Sequence, residues 1–126
     1  MPRQPYLCGL DAAVDVVGGK WKALILWALG DGAPHRFGEL KRQVPGVSEK
    51  MLIQQLRELE ADEVVHREVY HQVPPKVEYS LTDLGLSLNQ ALAPLGEWGA
   101  RHKSFIEATR TAAEAATEAA TETAAH

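Results

Sequence analysis

The 126-residue sequence predicts a mainly α-helical fold with a small β-hairpin, arranged as a winged helix-turn-helix. Three observations predict it. Apolar residues recur at helical spacing in several short segments. One Pro-Gly turn separates two of these segments, and a serine able to cap the second follows it. Two β-branched and aromatic runs then flank a proline-bearing tip.

Taken in order, residues 10–17 form a first helix on the line Leu10, Val14 and Val17, stopped by Gly18-Gly19. Residues 20–29 form a second, with Trp21, Leu24, Ile25 and Ala28 on the 3.6-residue period, ended by Gly30, Gly32 and Pro34. A short third helix over 36–44 carries Phe37, Leu40 and Val44, and Pro45-Gly46 turns the chain. Ser48 opens the fourth helix as an N-cap, its hydroxyl placed to accept from a free first-turn amide. Residues 64–70 and 77–81 read as two strands joined through Gln72-Val73-Pro74-Pro75. Thr82-Asp83 caps a last helix on the line Leu84, Leu88, Leu92, Leu95 and Trp98. Pro94 is expected to kink or split that helix, because it lacks an amide donor and crowds the preceding turn. The third and fourth helices with their turn are the helix-turn-helix, and the hairpin is the wing.

Composition bounds the function classes. A chain that is 45% hydrophobic and 24% charged belongs with globular proteins. Its longest apolar run, residues 23–29, falls far short of the ~20 residues of a membrane span. Met1-Pro2-Arg3-Gln4-Pro5 leads into no signal-peptide core, so a cytoplasmic protein is expected. The single cysteine, Cys8, excludes an intrachain disulfide framework and a multi-cysteine zinc site.

The formal charge of -4 is unevenly placed. Residues 107–126 carry Glu107, Glu114, Glu118 and Glu122 against Arg110, a net of -3, which leaves -1 for residues 1–106. Residues 35–57 hold Arg36, Lys41, Arg42, Lys50 and Arg57 against Glu39 and Glu49, a net of +3. A basic segment on a near-neutral body suits a DNA binder, since the field near the contact matters most. Nine of the 18 alanines fall in 108–126, and no large apolar residue follows Ile106. The expected division is a folded domain over 1–106 and a solvated, helix-prone acidic extension over 107–126. A tail that repels DNA or binds a partner is the alternative.

On the fourth helix, Leu52, Leu56 and Leu59 cluster on one side, while Lys50, Gln54 and Arg57, with Ile53 beside them, fall on the other. Lysine and arginine can satisfy phosphates or guanine O6 and N7, and glutamine can pair with adenine N6 and N7. Ser48 and the neighbouring amides suit a phosphate. In the wing, Arg67, His71 and Lys76 are candidate phosphate contacts that Glu68 and Glu78 oppose, and one such contact is expected, from Lys76 near the tip. A polar helix face alone would be unremarkable; the order of helix, turn, helix and hairpin carries the reading.

These residues resemble the HxlR-type winged helix-turn-helix transcriptional regulators, relatives of the MarR group. The likeness runs from about Cys8 to Gly99. It rests on Val17-Gly18-Gly19-Lys20-Trp21, Arg36-Phe37-Gly38-Glu39-Leu40, Gly46-Val47-Ser48-Glu49-Lys50-Met51-Leu52 and Gln55-Leu56-Arg57-Glu58-Leu59-Glu60. It continues through the run from Val73-Pro74-Pro75-Lys76 to Ser80-Leu81-Thr82, then Leu84-Gly85 and Trp98-Gly99. The resemblance implies a homodimer on a pseudo-palindromic operator in double-stranded DNA, with two recognition helices in successive major grooves roughly 34 Å apart. It implies a helical dimerisation region supplied by the first helix and the last. Val16, Leu86 and Leu95 are the apolar side chains left over for it. Two features depart from the pattern. Asp62-Glu63 stands where a glycine usually ends the recognition helix, and a left-handed Glu63 would cost about 1 kcal/mol. The alanine-glutamate tail lies outside the pattern.

Cys8 matches the family's N-terminal cysteine, which implies a sensor of oxidants or electrophiles. A thiol just before a helix N-terminus gains thiolate character, which Asp11 and Asp15 oppose. The competing reading is a small residue buried in a dimer interface. Trp21, Trp27 and Trp98 are read as core, interface or a small-ligand pocket. His35, His66, His71, His102 and His126 show no metal-ligand spacing, and neither a cofactor nor catalysis is expected. The expected function is a sequence-specific regulator, a repressor that occludes a promoter and answers to oxidative or electrophile stress or to a small molecule. The rivals are a winged helix used as a protein-interaction module, and a ligand-gated regulator in which Cys8 is passive.

Overall fold

The computed structural model describes residues 5–125. Residues 1–4, read above for signal character, and His126 lie outside the described residues. The chain divides into two compact units, one ending at Ala91 and the other beginning at Leu92.

The first unit holds α1 (Gly9–Val17), α2 (Lys20–Ala28) with a 3-10 turn at Leu29–Asp31, β1 (His35–Arg36), α3 (Phe37–Gln43) and α4 (Glu49–Ala61). It continues with β2 (Val65–Tyr70), β3 (Lys76–Leu81) and the start of α5 (Asp83–Ala125). This is the expected mainly helical winged helix-turn-helix. The wing, however, is a three-stranded antiparallel sheet in the order β1-β3-β2. The sequence reading had placed Arg36 in the third helix. Instead His35 and Arg36 pair with Tyr79 and Glu78 before that helix begins at Phe37.

The core is built where the helices of this unit face one another. Ile25, Leu26 and Leu29, then Leu40, Val44 and Val47, then Leu52, Leu56 and Leu59 are all at most 2% exposed, with Val64 and Val65 closing the sheet side. Full burial of each such side chain contributes about 1.5–3 kcal/mol. The three leucines of α4 and the Leu40–Val44 pair fall where their spacing placed them. On α2 the buried line is Ile25, Leu26 and Leu29 instead, and Leu24 stays 41% exposed. Ile25 and Leu29 are four apart and Leu26 and Leu29 three, so the three share one face of α2, turned by one residue from the expected line. On α1 no residue is buried, and Leu10 and Val14 are 73% and 54% exposed, so that helix adds nothing to this core.

Two backbone features fix the joints. Gly46, at φ 92°, makes the turn of the helix-turn-helix, a conformation that favours glycine. At Gly85 the constraint is space: an added Cβ would run into the Val64 carbonyl oxygen. The start of α5 can therefore lie against the α4–β2 junction only without a side chain there.

The end of α4 settles the Asp62-Glu63 departure. Glu63 is left-handed, at φ 61°. Its amide donates to the Glu60 carbonyl at 2.9 Å, and the Val64 amide donates to the Leu59 carbonyl at 3.1 Å. That is a Schellman end with its usual apolar pairing, here Val64 with Leu59, built on glutamate in place of glycine. The Thr82 hydroxyl donates to the Glu63 carbonyl at 2.7 Å, tying the strained residue to the far end of β3.

Of the kink or split expected at Pro94, the split does not occur, since the helical run Asp83–Ala125 continues through it. Proline removes the hydrogen bond to the Gln90 carbonyl, but both residues are exposed and water can replace it. The second unit is the remainder of this helix. Leu95, Trp98 and Phe105 are 64%, 50% and 71% exposed, and the Trp98 ring lies 4.9 Å from that of His102. The alanine-glutamate stretch is helical, with exposed side chains as far as residue 121.

Candidate nucleic-acid interface

The geometry is centred on α4. The Ser48 backbone is extended, at φ -75° and ψ 158°, and its Oγ accepts from the Met51 amide at 3.1 Å. That satisfies one free donor of the first turn and leaves the hydroxyl hydrogen available to a phosphate. With Leu52, Leu56 and Leu59 locked in the core, Lys50, Ile53, Gln54 and Arg57 stand out on the opposite side, all exposed. The helix is held from behind by Lys22 on α2, whose side chain is 12% exposed and whose ammonium lies 3.2 Å from a Glu58 carboxylate oxygen.

Glu49, Ile53 and Arg57, four residues apart in turn, form a ridge along α4. On one flank is a shallow depression that also takes in Lys50 and Gln54. On the other is a cleft of about 510 Å3 between the helix and the wing. Phe37, Leu56, Val77 and Tyr79 supply its apolar surface. Arg67, on β2 directly across from Tyr79, opens onto it from the wing, and Glu60 onto it from the helix. The structure therefore brings Lys50, Ile53, Gln54 and Arg57 together and sets Ser48 at the head of the same helix.

Lys76, the expected wing contact, begins β3. Its ammonium is 2.9 Å from Glu78 Oε1 and 4.4 Å above the Tyr70 ring, so contact with a phosphate requires it to share or leave these partners. Of the three wing cations the sequence offers, Arg67 and not the favoured Lys76 lines the cleft. The signal was strand parity: Arg67 alternates with Val65 and Val69, the inward set, and so shares their face.

Within the first unit, the sensor and pocket candidates Cys8, Trp21 and Trp27 do not line this surface. Cys8 is exposed and occupies the N-cap of α1, its carbonyl accepting from the Ala12 amide at 3.2 Å. The Asp11 carboxylate accepts from the Leu7 amide at 2.9 Å beside it. On α2, Trp21 is half-buried, with the Lys20 ammonium 4.8 Å above its ring and the Gly46 turn beside it. Trp27 is 59% exposed, and Trp98 belongs to the second unit.

A second polar cluster went unnoticed in the sequence although its spacing shows there. His35, 5% exposed, places Nε2 at 2.9 Å from both Asp31 carboxylate oxygens and Nδ1 at 3.6 Å from Glu39. The Asp31 carboxyl is held below its ordinary value by the His35 hydrogen bond first and by the Ala33 amide second. Among the described residues, no group of histidine, cysteine and carboxylate side chains is arranged to hold a metal ion.

The HxlR-like helix-turn-helix family profile matches residues 16–107. The chain is similar to YybR, an HTH-type transcriptional regulator of Bacillus subtilis (strain 168), at 48% identity over 104 residues, covering 82% of each. Among solved structures it is similar to the redox regulator HypR in its reduced form, with a TM-score of 0.74 and 46% identity over 80% of this chain and 99% of that one. It is also similar to diamide-treated YodB from B. subtilis, with a TM-score of 0.65 and 35% identity over 75% of this chain and 94% of that one.

Proposed function

From the premise that the chain belongs to the HxlR-like helix-turn-helix family, and so is an HTH-type, DNA-binding transcriptional regulator and not an enzyme, we propose that it acts as a cytoplasmic homodimeric repressor on a pseudo-palindromic operator. Arg57 and Gln54 read base edges from the major groove, with Lys50 and Ile53 beside them. Ser48 and Lys76 take phosphates. The observation that carries this reading is α4 itself, capped by Ser48, anchored by three fully buried leucines and exposing its cationic and amide side chains opposite them. No described helix is long and apolar enough to cross a membrane.

A second copy is the partner proposed for the exposed apolar faces. These are Leu10 and Val14 on α1, and Leu95, Trp98 and Phe105 on α5. Two copies set two recognition helices one helical turn of DNA apart. The folded regulator is taken to end at residue 106 and the acidic extension to begin at 107, since no large apolar side chain lies beyond Ile106.

For the signal, the exposed Cys8 at a helix N-terminus supports oxidant or electrophile sensing, as does similarity to the redox regulator HypR and to diamide-treated YodB. Two Cys8 thiols would form an intersubunit disulfide, giving up two protons and passing two electrons to the oxidant. With one cysteine per chain, a mixed disulfide or an adduct is the other product. In the ligand-gated alternative, an aromatic site drawn from Trp21, Trp27 and Trp98 takes a small molecule and Cys8 is passive.

Selection of bound duplexes from a random library, with and without oxidant, tests the reading. Two half-sites at one-turn spacing, depleted by oxidant, are expected. No enrichment overturns the regulator reading. A Cys8→Ser protein that still leaves DNA on oxidation overturns thiol sensing alone. Arg57→Ala and Gln54→Ala should each weaken operator binding by about 1–3 kcal/mol, read by mobility shift, and wild-type affinity in both overturns the base-reading assignment.

A further inference from the structure

The cleft between α4 and the wing points to a DNA contact beyond those assigned above. We propose that Arg67 on β2 holds one phosphodiester of the DNA backbone inside this cleft, on the side facing Arg57 of α4. The inference rests on the regulator reading and adds a contact to it.

The argument begins with the ridge. An α-helix with its side chains is about 10–12 Å across and fills a major groove about 12 Å wide. When such a helix enters the groove, the two phosphate rails run along its two flanks. On α4 one flank carries Lys50 and Gln54 and lies open. The other flank is walled by the wing, and the space between is the cleft of about 510 Å3. A rail on that side passes between Arg57 and Arg67.

The chemistry fits one anionic oxygen pair. Both guanidiniums line the cleft, and among the described residues neither forms an ion pair, a hydrogen bond or a ring contact. A guanidinium binds phosphate through a planar fork, and an apolar wall behind it lowers the local dielectric and strengthens the contact. Tyr79, across the strand pair from Arg67, and Val77 provide that wall. Lys76 differs, since its ammonium already has Glu78 and the Tyr70 ring. Two carboxylates also line the cleft, and they set its limits. Along the helix axis Glu49 is eight residues from Arg57, about 12 Å, whereas Glu60 is three residues away, about 4.5 Å. Glu60 therefore opposes the phosphate, and its charge tunes the strength of the grip.

The test uses the full-length protein, a random-sequence 30-bp duplex and the duplex recovered by selection, titrated by fluorescence anisotropy from 50 to 300 mM salt (roughly the range in which counterion release is read). Arg67→Ala should lower affinity for both duplexes about 8-fold per contacting chain at 0.1 M salt, and reduce the log-log salt slope by about 0.9 per chain. Arg67→Lys should keep most of the slope, since a point charge still displaces a counterion. Glu60→Gln should tighten binding to both duplexes. Unchanged affinity and slope in Arg67→Ala overturn the contact. So does a loss confined to the selected duplex, which would mean base reading. An equal loss in Arg67→Lys with a lowered melting temperature also overturns it, because Arg67 would then serve the fold. Wild-type protein that binds neither duplex overturns the regulator reading along with the contact.

Discussion

At the scale of single residues, Glu63 shows a local rule broken and the break held in place. A left-handed residue with a Cβ is strained, yet Glu63 keeps the conformation because the Schellman hydrogen bonds, the buried Val64–Leu59 pair and the Thr82 hydroxyl all require it. Glu63→Gly should raise stability by about 1 kcal/mol, read as a higher urea midpoint with an unchanged m-value. A lower midpoint would show that the lost Cβ and the freer unfolded chain outweigh the strain. The departure from a glycine end was visible in the sequence, but its resolution was not, because Thr82 lies 19 residues away. Asp31 supplies a pH test at the same scale. Its carboxyl is lowered from 3.8 in the fold, first by His35, so the folded state takes up that proton less readily than the unfolded chain does. The stabilisation is therefore present above the ordinary aspartate value and is lost as pH falls through the folded one. Asp31→Asn should be less stable than wild type at pH 5, and the gap should close on acidification in thermal melts. A gap that stays constant down to the acid limit would assign the effect to shape instead of charge.

At the scale of elements, legibility followed length and periodicity. The face of α4 could be read because Leu52, Leu56 and Leu59 repeat over about two turns, and burial decides the matter at all three. β1 could not, since two residues cannot show alternation and His35–Arg36 become a strand only by pairing with Tyr79 and Glu78. The cleft was hidden for a related reason: it exists only once the register sets Arg67 against Tyr79. Two substitutions test how the elements are joined. Gly85→Ala forces a methyl toward the Val64 carbonyl and should destabilise by about 1–3 kcal/mol in urea unfolding. An unchanged midpoint would mean that α5 starts farther from the α4–β2 junction. Ser48→Ala removes the acceptor for the Met51 amide and should lose about 1 kcal/mol. Were its stability intact, water or another group would have to cap α4.

At the scale of the whole molecule, the charge distribution separates two kinds of sequence. The basic excess sits on the helix-turn-helix, while the acidic excess sits beyond Ile106, on a helix whose described side chains are all exposed. Glu114 and Glu118 stand one turn apart there and repel, so the alanine content supplies helix propensity without any packing to anchor it. Deleting residues 107–126 removes a net -3 from the chain's -4 and no buried apolar surface among the described residues. The melting temperature of the remaining chain should therefore be unchanged. Association with DNA should change only through the general field, which salt screens over about 10 Å at 0.1 M. The expected result is a faster on-rate for the truncated protein at low salt, converging on wild type as salt rises, with the same dissociation rate throughout. A truncated protein that melts lower, or releases DNA at a different rate in high salt, would show that the extension makes a specific contact, with the second copy or with DNA, and is part of the regulator itself.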